Sequence, residues 1–86
     1  MGQPSALLLF TIDRVVRRLC QTGQLEMDQS KLEEVVFACA TRLSEAGMGA
    51  QLVDALSKAL LASEHVVELY ADDADIKALI TEVGEP

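Results

Sequence analysis

The sequence has few of the residues that build chemical sites. Its 86 residues include no tryptophan, one histidine, two cysteines and three other aromatic residues. These residues are His65, Cys20, Cys39, Phe10, Phe37 and Tyr70. A single histidine without a CxxC pair or an HExxH motif makes no recognisable metal site, and so few aromatics give no broad stacking surface for bases or sugars. The core must therefore be aliphatic, which suits helices packed on helices.

The two cysteines lie far apart and form no redox motif. Without a CxxC pair, a reduced protein in the cytoplasm is the expectation. Cys39 continues the apolar face of a predicted helix and is expected in the core, whereas Cys20 lies near a helix end and should be more exposed. Neither a GxSxG motif nor a phosphate-binding glycine loop occurs. We therefore predict no enzymatic activity, no cofactor and no metal.

Basic residues are also scarce, because 14 acidic residues face only 7 lysines and arginines and give a net charge of −7. The charge is distributed unevenly along the chain. Residues 1–24 carry Asp13 against Arg14, Arg17 and Arg18, a net +2, whereas residues 25–86 carry a net −9. An acidic body repels phosphate backbones and anionic lipids, so no nucleic-acid partner and no membrane are expected.

Four helical stretches separated by short breaks are present, which predicts one small, mainly α domain. Helices are expected from Ser5 to about Gly23, over about 28–46, about 50–63 and about 73–83, with "GMG" at 47–49 as the central break. The pieces near residues 25 and 67 are β-branched or alternate in polarity, which predicts a short two-stranded ribbon. The tail over 84–86 is expected to be flexible. "ALLLFTI" at 6–12 lacks the basic start and the cleavage site of a signal peptide, so it is assigned to the first helix.

The two halves of the chain share a pattern at an offset of 44 residues. This offset pairs Leu25 with Leu69 and Asp28 with Asp72. The apolar positions of the helices also coincide, as in the pair Ile12 and Leu56. The pattern predicts two similar helix-extended-helix halves, over 5–46 and 50–83, that bury their apolar faces against each other.

Aspartate at the start of a helix has an ordinary structural role. Asp28 and Asp72 each precede a predicted helix and are expected to cap it, and "SKLE" at 30–33 matches the capping-box pattern. The cluster "ADDAD" at 71–75 lacks the glycine and the terminal glutamate of a calcium loop. It is better explained as an acidic first helical turn, which the helix dipole favours.

One stretch resembles a cofactor-attachment motif. "DQSKL" at 28–32 places a serine, Ser30, close after Asp28 at the start of the second predicted helix. It resembles the Asp-Ser-Leu motif of acyl and peptidyl carrier proteins, which opens their second helix and carries the cofactor on its serine, although Ser30 stands one residue later and Lys31 separates it from the leucine. A small carrier, or a helical bundle that binds an apolar ligand between its halves, is the alternative function.

The leading functional prediction is a non-enzymatic protein-interaction module, either a homodimer or a small adaptor or regulatory subunit. Two surfaces are candidates. The first contains Arg14, Arg17 and Arg18, which share one side of the first helix and either remain solvated or dock on an acidic surface. The second is the third helix, whose wide apolar surface is either central or covered by a partner. Its candidate contact residues are Leu52, Val53, Leu56 and Leu61. A nucleic-acid-associated factor that uses the three arginines is a weaker alternative, because the net negative charge of residues 25–86 would repel a phosphate backbone.

Overall fold

The computed structural model describes residues 4–46 and 52–84, and it confirms the predicted mainly α fold with a short ribbon. The chain forms, in order, α1 (Ala6–Gln21), β1 (Leu25–Met27), a 3₁₀ turn (Gln29–Lys31), α2 (Leu32–Ala46), α3 (Leu52–Ala62), β2 (Val66–Leu69) and α4 (Asp73–Gly84). Helices α1 and α3 each pack against both α2 and α4, and the strands pair with each other. The order helix, strand, helix thus occurs twice.

Both ends of α1 form where the sequence predicts them. The Ser5 side chain accepts a hydrogen bond from the Leu8 amide at 3.1 Å, so it caps the helix. At the other end, Gly23 has φ of +78°. The Gln24 amide donates to the Leu19 carbonyl at 2.8 Å, and the Gly23 amide donates to Cys20 at 3.2 Å. These two bonds form a Schellman motif, which needs a residue in the left-handed region and therefore favours glycine.

The start of α2 differs from the prediction. Asp28 is a cap, but its carboxylate accepts from the Ser30 amide at 3.0 Å and caps the 3₁₀ turn, and α2 itself begins only at Leu32. The capping box at Ser30 is wrong, because the Ser30 hydroxyl donates to Asp28 at 2.7 Å. The Asp28 carboxylate accepts hydrogen bonds from both the amide and the hydroxyl of Ser30. Asp28, rather than Ser30, is therefore the capping acceptor in this segment.

The capping of α4 is as predicted and is reciprocal. The Asp72 carboxylate accepts from the Asp75 amide at 2.9 Å, and the Asp75 carboxylate accepts from the Asp72 amide at 3.2 Å. Helix α4 extends through Gly84, one residue further than predicted, so this residue does not belong to a tail. The predicted break at 47–49, the first residues of the predicted third helix at 50–51 and the rest of the tail at 85–86 lie outside the described residues.

The ribbon is antiparallel and joins the two halves. Leu25 lies opposite Leu69 and Glu26 opposite Glu68, with an irregularity before Met27 reaches Val66. Leu25 and Leu69 are the pair that the 44-residue offset equates.

The core lies where the four helices meet beneath the ribbon. Within residues 4–46 and 52–84, eighteen leucine, isoleucine, valine, alanine, methionine and cysteine side chains are buried. They are Leu8, Ile12, Val15, Val16, Leu19, Leu25, Met27, Leu32, Val35, Val36, Cys39, Ala40, Leu43, Leu56, Ala59, Leu60, Ala71 and Ile76. Two of the pairs at the 44-residue offset, Ile12 with Leu56 and Val16 with Leu60, are fully buried at all four positions. Both halves therefore supply fully buried side chains to the core.

Candidate functional site

A groove between α1 and α4 brings the three predicted arginines together. Its volume is about 490 Å³. Its lining residues are Phe10, Arg14, Arg17, Arg18, Gln21, Leu79, Glu82 and Val83. We call it the arginine groove. The apolar stripe of α1 faces the core, and this orientation turns the arginines outward beside α4.

The apolar part of this surface is unusual for a solvated helix face. Phe10 is 55% exposed and Leu7, one turn earlier on α1, is 75% exposed. Across the groove, Leu79 and Val83 of α4 are only half-buried against the core. Aromatic side chains and arginine are enriched in protein interfaces, and Phe10 and the three arginines are of these types. The surface is therefore mixed in the way that docking surfaces are.

The three arginines have different partners. The Arg17 Nε donates to both carboxylate oxygens of Asp13 at 3.0 Å, within α1. The Arg18 Nη2 donates to Glu82 Oε1 of α4 at 2.8 Å, across the groove. The Arg14 guanidinium lies 5.6 Å from the centre of the Phe10 ring. Within residues 4–46 and 52–84, no carboxylate lies within ion-pair distance of Arg14.

The sequence does not indicate that α4 forms one side of the arginine groove. Leu79 and Val83 continue the apolar periodicity of the fourth helix, which indicates a core face, and the sequence around Glu82 indicates no role for it. A pairing between residues 64 apart, as in Arg18 with Glu82, leaves no local pattern. Only an expectation that α1 and α4 are neighbours would have suggested it.

The candidate surface on α3 is mostly inside the protein. Leu56 is fully buried and Leu52 and Val53 are half-buried against the core, so the helix is central and its apolar width is largely covered by the chain itself. The assignment of Leu56 to an interaction surface is therefore wrong, because its side chain is inaccessible. Leu61 alone is well exposed, at 64%.

A second groove lies between α2 and α3, with a volume of about 370 Å³. Its lining residues are Glu34, Ala38, Arg42, Ala59, Ala62, Ser63, Glu64 and His65. The His65 Nε2 lies 3.4 Å from a Glu34 carboxylate oxygen and 3.7 Å from one of Glu64. No group of three or more metal-ligating side chains with suitable geometry occurs in the part of the chain that the structure describes.

The potential nucleophiles have structural surroundings. Cys39 is 1% exposed, and burial raises the pKa of its thiol to about 11, so the thiol is protonated at neutral pH. Cys20 is half-buried at the end of α1. Ser30 donates its hydroxyl to Asp28, and the hydrogen bonds from Ser30 lower the pKa of that carboxyl.

The acidic cluster at the start of α4 is engaged in its own helix. Asp72 and Asp75 cap each other, and the Asp73 carboxylate accepts from the Ser57 hydroxyl of α3 at 3.1 Å. These contacts fix the start of α4 beside α3. They account for the cluster without a cation.

Comparison with known proteins gives no family: no family model, no curated protein and no solved structure matches this chain. Among the helices over 4–46 and 52–84, none has the length and apolarity needed to cross a bilayer.

Proposed function

We propose that the protein is a non-enzymatic interaction module, a small adaptor or regulatory subunit, that docks on an acidic protein through the arginine groove. The observation that carries the proposal is the grouping of charge. Three of the seven basic residues line one groove of a protein with a net charge of −7. A local basic surface on an acidic body steers an acidic partner to one place and repels it elsewhere.

Arg14 is the residue that favours docking over simple solvation. Solvated arginines on a helix are commonly paired with nearby acids, as Arg17 is with Asp13. Arg14 instead lies against the exposed Phe10 ring. A guanidinium on an aromatic face keeps its donors directed outward, where they can form bidentate bonds to a carboxylate.

A separate acidic protein is favoured over a second copy of this chain. The strongest acidic cluster that a second copy would offer is at Asp72, Asp73 and Asp75. All three carboxylates already accept hydrogen bonds from their own chain. A homodimer is thus one outcome of the experiment below, rather than the expected one.

The alternative of a carrier, or of a bundle that binds an apolar ligand, has less support. Both grooves are open to solvent and have charged walls, whereas an apolar ligand favours an enclosed, mostly apolar cavity. The Ser30 hydroxyl is held by Asp28 in a 3₁₀ turn. A cytoplasmic location stays a prediction, supported by two cysteines that are both free.

Removal of charge from the groove tests the proposal. The variant Arg14→Gln/Arg17→Gln/Arg18→Gln removes three positive charges and keeps helix propensity and side-chain bulk. We expect it to lose its partner in recovery from the native host, and moderate salt to cause the same loss for the wild-type protein. The mass of the purified native protein in solution shows, independently of partner recovery, whether the protein self-associates.

A matched variant controls for net charge. Lys31→Gln/Arg42→Gln/Lys58→Gln removes the same number of charges from α2, α3 and the turn before α2. It should retain the partner. Equal recovery with both variants and with the wild-type protein, together with unchanged solution mass, would show that the arginines are only solvated. A loss of dimer mass confined to the groove variant would assign the surface to self-association.

A further inference from the structure

We propose that the arginine groove binds an acidic amphipathic helix and that Glu82 holds Arg18 in the free protein until that helix supplies a carboxylate in its place. This inference rests on the proposed function and specifies the partner's chemistry. It assigns Glu82 as an internal competitor for the groove.

The row structure of the groove argues for a helical occupant. Phe10, Arg14 and Arg18 are four residues apart and form one ridge along α1. Leu79 and Val83 form a ridge of the same spacing on α4. A furrow between two such ridges accepts the i, i+4 ridge of a third helix. From Phe10 to Gln21 the groove runs about 16 Å along α1, which is roughly three helical turns.

The order of residues along the groove sets the pattern of the occupant. An apolar side chain of the occupant contacts Phe10, the aromatic residue of the groove lining. Carboxylates one and two turns further fit Arg14 and Arg18. The segment is thus amphipathic, with an apolar anchor followed by acids at i+4 and i+8. Arg14 is open to such a carboxylate, whereas Arg18 is occupied by Glu82.

The bond between Arg18 and Glu82 is suited to exchange. Its N to O distance is 2.8 Å, but the side chains are 46% and 59% exposed. Exposed ion pairs contribute little to stability, so Glu82 can leave at small cost. While present, its negative charge also repels an incoming carboxylate, so neutralising it should strengthen binding.

The experiment measures binding of a labelled synthetic helix of about five turns, carrying leucine, glutamate and glutamate at i, i+4 and i+8, by fluorescence anisotropy. We expect Glu82→Gln to tighten binding by roughly two- to fivefold. The control variant Glu64→Gln makes the same change of net charge in the α2/α3 groove and should leave affinity unchanged. In the double variant Glu82→Gln/Arg18→Gln the gain should disappear, because Glu82 acts through Arg18.

Failures of the two proposals are distinguishable. One outcome refutes only the role of Glu82. In that outcome the wild-type protein binds the helix and Arg14→Gln lowers the affinity, but Glu82→Gln has no more effect than Glu64→Gln. Glu82 is then not a competitor, and docking through the arginine groove is retained. If the peptide with glutamine in place of glutamate binds as well as the acidic one, the acidic-helix inference is refuted. If the wild-type protein binds neither peptide, the helical occupant is refuted, whereas the proposed function is decided by partner recovery. Thermal melting of each variant verifies that it is folded.

Discussion

The arginine groove and the groove between α2 and α3 differ in chemistry. Helices α1 and α4 form the first and α2 and α3 form the second, and the predicted 44-residue offset pairs α1 with α3 and α4 with α2. The positions that correspond to Arg14, Arg17 and Arg18 hold Lys58, Leu61 and Ala62. The core positions beneath them remain apolar in both halves. Helix α3 packs on both α2 and α4 without three basic residues at these positions, so the arginines of α1 are not needed for this mode of helix packing.

The comparison predicts first that the two halves contribute equally to the core. Ile12→Ala and Leu56→Ala remove large side chains that are fully buried at equivalent positions. Each should lower the free energy of unfolding by about 2–5 kcal/mol in urea denaturation. Leu61→Ala, on the exposed side of α3, should change it by less than about 0.5 kcal/mol. A large loss at one core position and almost none at the other would break the equivalence.

Thiol reactivity tests whether the wall of the arginine groove is more accessible than the core. Cys39 of α2 is buried in the core, whereas Val83, which the 44-residue offset pairs with it, is half-buried at the wall of the arginine groove. In the variant Cys20→Ser/Val83→Cys, the new thiol lies at the wall of the arginine groove. It should react with a bulky thiol reagent at least about tenfold faster than Cys39 does in Cys20→Ser alone, because the thiolate at position 83 is accessible. In the wild-type protein, Cys20 should also react faster than Cys39. Equal rates for Val83→Cys and Cys39 would show that position 83 is as protected as the core.

The 44-residue offset does not hold at the connection between helix and ribbon. Gly23 lies between α1 and β1 with φ of +78°, whereas the residue 44 positions later, Val67, lies within β2 and does not have positive φ. No side chain lies within 4 Å of a Cβ added at Gly23, so Gly23→Ala would act only through the backbone. We expect a loss of about 1 kcal/mol in the free energy of unfolding. Val67→Ala, at an exposed site, is the control. A loss at Val67 as large as that at Gly23 would contradict this difference.

The smallest effect concerns the cap before α2 and its dependence on pH. Hydrogen bonds from Ser30 lower the pKa of the Asp28 carboxyl below its usual 3.8. A lowered folded-state pKa means that the stabilisation is present above the unfolded-state value and is lost as pH falls through the folded-state value. Asp28→Asn should therefore be less stable than the wild-type protein at neutral pH and match it at about pH 2. A difference that persists at low pH would indicate a contribution unrelated to the charge.

Local patterns carried most of the fold. Helical periodicity, Ser5 and Gly23 predicted α1, and the alternation near Leu25 predicted the ribbon. The start of α2 was mistaken because Asp28 and Ser30 are both good caps and only their mutual hydrogen bond decides between them. Leu56 was assigned to a surface because periodicity shows which side chains are apolar, and it does not show which neighbour covers them. Glu82 was missed for the same reason, since its partner is set by helix packing.

The most direct test is to compare contacts made by the two outer helix faces in the native host. A photo-crosslinking residue is placed at Phe10, which is 55% exposed in the arginine groove, or at Leu61, which is 64% exposed on α3. Docking through the arginine groove predicts a cross-linked protein from position 10 and little or none from position 61, with the product at position 10 lost in the three-arginine variant. Cross-linking that is confined to position 61, or that is equal at both positions and insensitive to the arginines, would contradict it.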